Sequence, residues 1–239
     1  MKPPSTTRRA ARDRHNKSRS DWILQDPTAV GAGELAKSGM TRRRIMDAAV
    51  HCLAQLGYGA TTTTEVAKAA KLTRAAMRYH FPSRMDLIEA SVHYVTRRRL
   101  DMYEAAMSEL PHDRDYFIRA IEIGWEQLQK PEFLAFTELS LAARSDRELA
   151  VIFSPALTEY DRARRLTAQR LFPPGQVDIT LFDLRNDIIS FLLEGLAQQR
   201  NLAFDADRRR NMVLGFLKAL STSRDAGGLL QKAQALANG

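Results

Sequence analysis

From Thr41 onwards, apolar residues recur at the spacing of one face of an α-helix. Between Ile45 and Leu56 they fall at i, i+3, i+4, i+7, i+8 and i+11, which matches a period of about 3.6 residues. Gly57 follows where a glycine often ends a helix. The pattern therefore predicts a first helix that runs from Thr41 to the residue before Gly57.

Two short helices are predicted next, joined by a very short connection. Thr62 and Glu65 have the Thr-x-x-Glu spacing of a capping box, which predicts a helix over 62–70. Thr73 is suited to cap a third helix over 73–81, because Pro82 cannot continue it. The short connection forces a sharp turn between these helices.

The rest of the chain has helical periodicity and no alternating β pattern. Ser83 with Asp86, and Ser145 with Glu148, have capping-box spacing and predict two further helix starts. Prolines punctuate the segments between helices. The fold class is therefore predicted to be all-α, with an N-terminal three-helix helix-turn-helix domain and a helical C-terminal domain. The later helices are predicted over 83–108, 112–129, 132–143, 146–170, 177–200 and 206–222.

Positive charge is concentrated near the N-terminus. Residues 1–40 hold eight Lys and Arg against four Asp and Glu, and residues 41–85 hold eight against two. The whole chain has a formal net charge of +8, so the remainder is close to neutral. This asymmetry favours contact between the N-terminal part and a polyanion such as nucleic acid. A solvated basic face is the alternative.

The segment 41–87 resembles the DNA-binding domain of the tetracycline-repressor (TetR) family. The matching residues are Arg44-Ile45, Ala48-Ala49, Leu53, Gly57-Tyr58, Thr61–Thr63, Val66-Ala67, Ala70, Leu72-Thr73, Met77, His80-Phe81, Ser83-Arg84 and Leu87. The resemblance implies a transcriptional regulator whose helix-turn-helix binds double-stranded DNA. It also implies that the helical body binds a small molecule and forms a dimer.

Four positions depart from the family pattern. Lys71 and Ala75 stand where glycine is usual or frequent, Arg78 where tyrosine is frequent, and Arg84 where lysine is frequent. A side chain at Lys71 makes the turn between the second and third helices less permissive. The family's operator preferences are therefore not carried over to this chain.

The third predicted helix is the expected reading element. Met77 and Phe81, at i and i+4, are predicted to bury one face on the first helix, and Arg74 on the other face to read a guanine. The phosphate candidates are Arg78, Thr62, Thr63 and Arg84. Arg42 and Arg43 are placed to reach phosphate or the minor groove, and Tyr79 a thymine methyl or the backbone. The full predicted DNA-contact set is Arg42, Arg43, Thr62, Thr63, Thr73, Arg74, Ala75, Arg78, Tyr79, His80 and Arg84.

Aromatic residues of the C-terminal body are candidates for the lining of a ligand pocket. Packing in a core is the commoner role of aromatics at helical spacing, and it remains the alternative. Two glutamates in otherwise apolar stretches are candidate polar anchors, or exposed or paired carboxylates. The expected effector is a small, mainly apolar molecule with a polar group. The candidate ligand contacts are Trp125, Phe133, Phe136, Glu138, Phe153, Tyr160 and Glu194.

The two last predicted helices, 177–200 and 206–222, are apolar on more than one face. Such helices must be covered on several sides. Two of them from each subunit would form a four-helix homodimer interface, and a two-fold operator needs two DNA-binding domains. Core helices of a monomer are the alternative.

Other function classes find less support. The sequence has no His-x-x-x-His pair, Gly-rich phosphate loop or Gly-x-Ser-x-Gly elbow, so no enzyme, cofactor or metal site is expected. A helical protein-interaction or lipid-binding module would explain the apolar body, but not the charge asymmetry. An activator rather than a repressor stays open within the regulator class.

The predicted domains are a mostly disordered basic arm (1–37), the helix-turn-helix domain (38–85), the ligand-binding and dimerisation domain (86–222) and a frayed tail (223–239). Cys52 is the only cysteine, so no internal disulfide forms. No apolar run reaches the roughly 18 residues of a membrane span. A cytoplasmic protein without a membrane partner is therefore expected.

Overall fold

The computed structural model describes residues 27–28, 36–110, 116–171, 179–199, 205–222 and 228. Within these residues the chain forms helices and turns, with no strand, which confirms the all-α prediction. The helices are α1 (Ala36–Ala60), α2 (Thr63–Ala69), α3 (Arg74–His80), α4 (Arg84–Ser108), α5 (Tyr116–Gln127), α6 (Pro131–Ala143), α7 (Arg147–Leu171), α8 (Ile179–Gln199) and α9 (Ala206–Thr222).

The first helix starts earlier than predicted and is interrupted where predicted. α1 begins at Ala36, ahead of Thr41, so the helix extends beyond the apolar periodicity that predicted it. Gly57 has φ 79° and ψ 170°, a backbone conformation that is essentially restricted to glycine. The regular helix therefore ends before Gly57, and one further helical turn follows it.

Side-chain caps at the starts of α2, α3 and α4 confirm the predicted boundaries. The Thr62 hydroxyl accepts a hydrogen bond from the Glu65 amide at 3.2 Å, and the Thr73 hydroxyl accepts one from the Ala76 amide at 3.1 Å. At α4 the Asp86 carboxylate accepts from the Ser83 amide at 2.9 Å, while the Asp86 amide donates to the Ser83 hydroxyl at 3.1 Å. These bonds satisfy amides that have no partner inside the helix.

The capping prediction for α7 was wrong by one residue. The cap is Asp146 rather than Ser145, because the Asp146 carboxylate accepts from the Leu149 amide at 3.1 Å. The Ser145 hydroxyl instead donates back to the Ala142 carbonyl at 3.4 Å. Aspartate is as good a cap as serine, so spacing alone does not choose between these neighbours.

The chain divides into two compact units. The first contains residues up to Arg97 together with Ala135–Asp161, and the second contains Arg98–Leu134 and the chain from Arg162 onwards. The unit boundaries fall inside α4, α6 and α7. Helices that are far apart in sequence therefore belong to the same unit, and the units differ from the predicted division at residue 85.

The core of the first unit is one apolar cluster. It joins buried side chains of α1 to α4, such as Ile45, Val66 and Leu87, with Phe136 of α6 and Phe153 of α7. The cluster holds the long helix α1 and the short helices α2 and α3 together. Without it, the seven-residue helices α2 and α3 would be too short to be stable.

The second unit has two smaller apolar clusters. One includes Met107, Tyr116 and Phe182, and the other includes Phe133 and Leu217.

The five predicted helices of the body are present, with bounds within a few residues of those expected. Among the described residues no helix is long and apolar enough to cross a membrane. The predicted basic arm, apart from 27–28 and 36–37, and the predicted frayed tail, apart from 228, lie outside the described residues.

Candidate nucleic-acid interface

The α3 helix presents two chemically different faces. Its inner face is anchored by Met77, which is 1% exposed, with Phe81 directly after the helix. Both side chains pack in the apolar cluster of the first unit, as the i, i+4 pattern predicted. Because one face is fixed by burial, the opposite face is held towards solvent.

The outer face of α3 is polar, aromatic and exposed. Arg74, Ala75 and Arg78 are exposed, and Tyr79 has 83% of its surface accessible. The ring of His80 lies edge-on to the Tyr79 ring, with 5.2 Å between centroids. An exposed tyrosine beside two arginines forms a surface suited to base edges and phosphates.

The arginines of this face are not neutralised. Within the described residues, neither Arg74 nor Arg78 has a carboxylate within ion-pairing distance. Two positive charges on one short helix therefore remain available for an anionic partner. We call Arg74, Ala75, Arg78 and Tyr79 the recognition face.

The predicted threonine contacts lie at helix starts. Thr62 and Thr73 are exposed and Thr63 is partly exposed, although the Thr62 and Thr73 hydroxyls already accept capping bonds. A capping hydroxyl still has its own hydrogen to donate. The structure therefore leaves these hydroxyls able to donate to a phosphate.

The flanking arginines at the start of the domain lie on α1. Arg43 is exposed and Arg42 is partly exposed. Their proposed contacts with phosphate or the minor groove remain predictions. The α1 helix holds them on regular backbone, because it begins at Ala36.

Arg84 has an internal role that the sequence did not predict. Its Nε donates to the Thr61 carbonyl at 2.9 Å and its Nη2 donates to the Tyr58 carbonyl at 2.6 Å. The guanidinium also stacks on the Tyr58 ring, 4.3 Å from the centroid. Arg84 therefore fixes residues 57–62, the α1–α2 connection, and its predicted phosphate contact remains a prediction beside this role.

The Tyr58 side chain joins the α1–α2 connection to a carboxylate that is distant in sequence. Its hydroxyl donates to Oδ2 of Asp146 at 2.7 Å. Burial, followed by this hydrogen bond, raises the pKa of Tyr58, while the bond from Tyr58 and then that from the Leu149 amide lower the pKa of Asp146. Sequence reasoning missed the pair because 88 positions separate the two residues and no local spacing signals the contact.

The turn between α2 and α3 contains a strained residue. Lys71 has φ 52°, in the left-handed region where a side chain costs about 1–2 kcal/mol. Lys71→Gly is therefore expected to raise the free energy of unfolding by about 0.5–1 kcal/mol, since the relief exceeds glycine's entropic cost. Urea denaturation measures the change.

Lys68→Gly is the matched control for Lys71→Gly. Lys68 is also exposed but lies inside α2, where glycine is less favourable than lysine by roughly 0.5–1 kcal/mol. The two substitutions should therefore change stability in opposite directions. A loss of stability in both variants would contradict strain at Lys71.

Four of the predicted ligand contacts belong to the first unit. The Phe136 ring contacts the rings of Phe153 and Tyr160, with centroids 5.2 and 5.7 Å apart, and all three side chains are buried. Glu138 places a carboxylate oxygen 3.0 Å from where a side chain on Gly57 would begin. The contacts of the three aromatic side chains are those of a packed core, and a ligand role for the four residues remains a prediction.

The other three predicted ligand contacts belong to the second unit. The Glu194 carboxylate pairs with Arg99 at 3.2 Å, and the Arg99 guanidinium lies 5.3 Å from the centroid of the buried Phe133 ring. Trp125 lines a cavity of about 560 Å³. Other residues that line this cavity are Gln129, Phe191, Leu196, Arg210 and Val213.

Together, the buried inner face, the capped start and the arginines of α3, which have no carboxylate partner in the described part of the chain, define a helix-turn-helix DNA-binding protein. The family model of the bacterial regulatory proteins of the tetR family matches residues 45–91. This range contains α2, α3 and most of the residues that pack against them. The match falls on the part of the chain that carries the recognition face.

Similar curated proteins are also regulators. The chain is 27% identical over 138 residues to an uncharacterised HTH-type transcriptional regulator of Mycobacterium tuberculosis, covering 56% of this chain and 71% of the relative. It is 34% identical over 73 residues to the HTH-type regulator YvkB of Bacillus subtilis, covering 30% of this chain and 39% of that relative. Residues 45–91 therefore match the DNA-binding part of the tetR family of bacterial regulatory proteins.

Solved structures of similar fold match the helical body as well as the N-terminal helices. A TetR-family regulator from Rhodococcus sp. matches with a TM-score of 0.55 and 21% identity, covering 77% of this chain and all of that one. A transcriptional regulator from Saccharomonospora viridis, solved with choline, matches with a TM-score of 0.55 and 19% identity, covering 75% and 96%. At this identity the likeness establishes the fold alone.

Proposed function

We propose that this regulator is a repressor that binds a palindromic operator as a homodimer and leaves it when a small molecule binds the helical body. The observation that supports DNA binding is the recognition face. Its arginines have no carboxylate partner within the described residues, and its geometry is fixed by the burial of Met77. A short helix presented in this way suits the major groove.

Within this proposal the predicted DNA contacts have distinct roles. Arg74, in the first turn of α3, reads a guanine, because its planar fork matches the two acceptors of that base. Arg78 and the threonines at the helix starts bind phosphates, which fix the register of the protein on the duplex. Tyr79 contacts a thymine methyl or the backbone, and the Ala75 methyl contacts a thymine methyl or excludes a base.

The homodimer is proposed to form through α8 and α9. Both helices expose large apolar side chains in the single chain, with Phe191 at 71% and Phe216 at 62%. Ile179, Leu192 and Met212 are exposed on the same two helices. A second copy would cover these side chains. A two-fold dimer would then present two copies of α3, the recognition helix, to a palindrome.

The effector is proposed to bind in the cavity beside Trp125, whose wall shares Phe191 with the proposed dimer face, so the partner subunit would border the cavity. Its volume of about 560 Å³ falls within the roughly 300–1,000 Å³ that is usual for small-molecule sites. Its wall combines aromatic and aliphatic side chains with Gln129 and Arg210, which suits a mainly apolar molecule with a polar group. The Saccharomonospora viridis regulator with bound choline supports small-molecule binding by this fold.

Release from DNA follows if the effector prefers a conformation that misplaces the two recognition helices. A ligand shifts such an equilibrium only by its difference in affinity for the two conformations. A change in the separation of the helices would leave one half-site poorly contacted. An effector that favoured the DNA-bound conformation would instead act as a corepressor.

Arg74→Ala tests the proposed reading of DNA. A duplex selected from a random library by the wild-type protein is titrated by fluorescence anisotropy at several salt concentrations. Arg74→Ala is expected to cost about 1–3 kcal/mol and to relax preference at one base position. Arg78→Ala should weaken all duplexes similarly and lower the salt slope by about one.

Arg162→Ala is the matched control for these variants. Arg162 is an exposed arginine on α7, away from α3 in sequence, so its loss should leave affinity and base preference unchanged. Equal effects from all three alanine variants would mean that only total charge matters. Failure of the wild type to bind any duplex, even at low salt, would favour a helical interaction or lipid-binding module instead.

A further inference from the structure

Residues of α4, of α6 and of the turn between α6 and α7 contact the α1–α2 connection, and all three parts belong to the first unit. Arg84, at the start of α4, donates to the Tyr58 and Thr61 carbonyls. Thr61 is fully buried and its hydroxyl donates to the Gly57 carbonyl at 2.8 Å. The segment from which α2 and α3 start is therefore held by specific bonds.

The turn between α6 and α7 supplies the most distant of these contacts. Asp146 uses its two carboxylate oxygens for separate tasks, since Oδ1 accepts from the Leu149 amide at 3.1 Å and Oδ2 accepts from the Tyr58 hydroxyl at 2.7 Å. One side chain therefore starts α7 and also holds the α1–α2 connection. Any shift of this turn changes the geometry of both bonds.

α6 contacts the same connection from another side. A side chain at Gly57 would begin 3.0 Å from Oε2 of Glu138, so the bare backbone of Gly57 allows the close approach of the Glu138 carboxylate. Apolar packing runs alongside, because Leu139 and Leu149 share a buried cluster with Met77 of α3. The end of α6 and the start of α7 are thus part of the body that supports the recognition helix.

We infer that Asp146 is a positioning residue for DNA binding, which holds the α1–α2 connection through the Tyr58 hydroxyl so that the α6–α7 turn sets the placement of α3. Arg84 completes the arrangement by stacking on the Tyr58 ring, which aims the hydroxyl at the turn. The inference rests on the proposed DNA contact of α3. It identifies a bond through which a movement of the turn would reach the recognition face.

A second tyrosine–aspartate bond in the same unit provides the comparison. Tyr94 donates to Asp47 at 2.6 Å, which joins α4 to α1 without involving the α6–α7 turn. Tyr94→Phe therefore removes the same type of bond from the same unit. A residue that only stabilises the fold would behave like Tyr94, whereas a positioning residue would not.

The variants separate the tasks of Asp146. Asp146→Ser keeps a good cap for α7 but is too short to reach Tyr58. Asp146→Asn keeps the capping oxygen and places an amide NH2 at the position of Oδ2, where it can donate to the Tyr58 hydroxyl oxygen and keep the link with its direction reversed. Tyr58→Phe removes only the donor. The wild type, these three variants, the Tyr58→Phe/Asp146→Ser double variant and Tyr94→Phe are compared as full-length protein.

Two measurements are made on each variant. The first is affinity for the duplex that the wild type selects, at a temperature where every variant is folded. Tyr58→Phe and Asp146→Ser should each weaken DNA binding about five-fold, the scale of one hydrogen bond. The double variant should bind no more weakly than either single variant, because both substitutions remove the same bond. Asp146→Asn and Tyr94→Phe should stay within about two-fold of the wild type. Losses that multiply in the double variant would overturn the inference.

The second measurement is amide hydrogen exchange in the free protein. Asp146→Ser should speed exchange over 63–80, although the substitution lies in the α6–α7 turn, and Tyr94→Phe should cause a smaller change there. Unchanged exchange over 63–80 in Asp146→Ser would overturn the positioning role. If the wild type selects no duplex, the proposed function fails, and the exchange data still decide whether the turn controls α3.

Discussion

Phe216→Glu is expected to convert the protein from a dimer to a monomer. Phe216 is 62% exposed on α9, and in the proposed dimer it is covered by the partner subunit. A glutamate there would bury an unpaired charge, so subunit affinity should fall by at least about 2 kcal/mol, roughly 30-fold in Kd. Sedimentation velocity over a range of protein concentrations measures this change.

Operator binding by Phe216→Glu should fall further than subunit affinity alone suggests. A monomer contacts one half-site and loses the benefit of linked binding, which is worth about 100-fold or more. Val151→Glu is the matched control, because Val151 is 65% exposed but lies on α7. A Phe216→Glu protein that stays dimeric, with wild-type operator affinity, would show that the dimer forms elsewhere.

Met77→Ala is expected to be the most destabilising single change in the recognition helix. Met77 is 1% exposed and packs in the cluster that joins α3 to α1. Truncation of a buried side chain of this size costs about 2–5 kcal/mol of unfolding free energy. Because α3 has seven residues and little stability of its own, it should also lose its protection from amide exchange.

Met77→Leu and Arg78→Ala provide the controls for this prediction. Leucine keeps the volume and apolar character, so the cost should be below about 1.5 kcal/mol. Arg78 is the exposed neighbour, and its loss should change unfolding by less than about 0.5 kcal/mol while weakening DNA binding. Similar stability for Met77→Ala and the wild type would mean that burial of Met77 does not hold α3.

The DNA-binding region was predictable because its signals are local. Thr62 and Ser83 mark helix starts by capping-box spacing, and Thr73 marks one by its side-chain type. The i, i+4 pair of Met77 and Phe81 identifies the inward face of α3. Each of these features depends on residues within one or two helical turns. The exposed positions of Arg74 and Arg78 then follow from helical geometry.

The helical body was less predictable. Its helix positions followed from apolar periodicity and proline punctuation, whereas the seven candidate ligand contacts are divided between the two units. Phe136, Phe153 and Tyr160 pack together in the first unit, whereas Trp125 lines a cavity in the second. Aromatic periodicity shows that a side chain is covered, but it does not show what covers it.

The sequence by itself determined the all-α fold class, the helix-turn-helix and its inward and outward faces, because periodicity, caps and charge act over short distances along the chain. Only the tertiary structure decided that Arg84 grips the Tyr58 and Thr61 carbonyls, that Tyr58 reaches Asp146, and that Glu194 pairs with Arg99. These contacts join residues between 23 and 95 positions apart. Such pairings depend on how helices pack, and no spacing within a single helix encodes them.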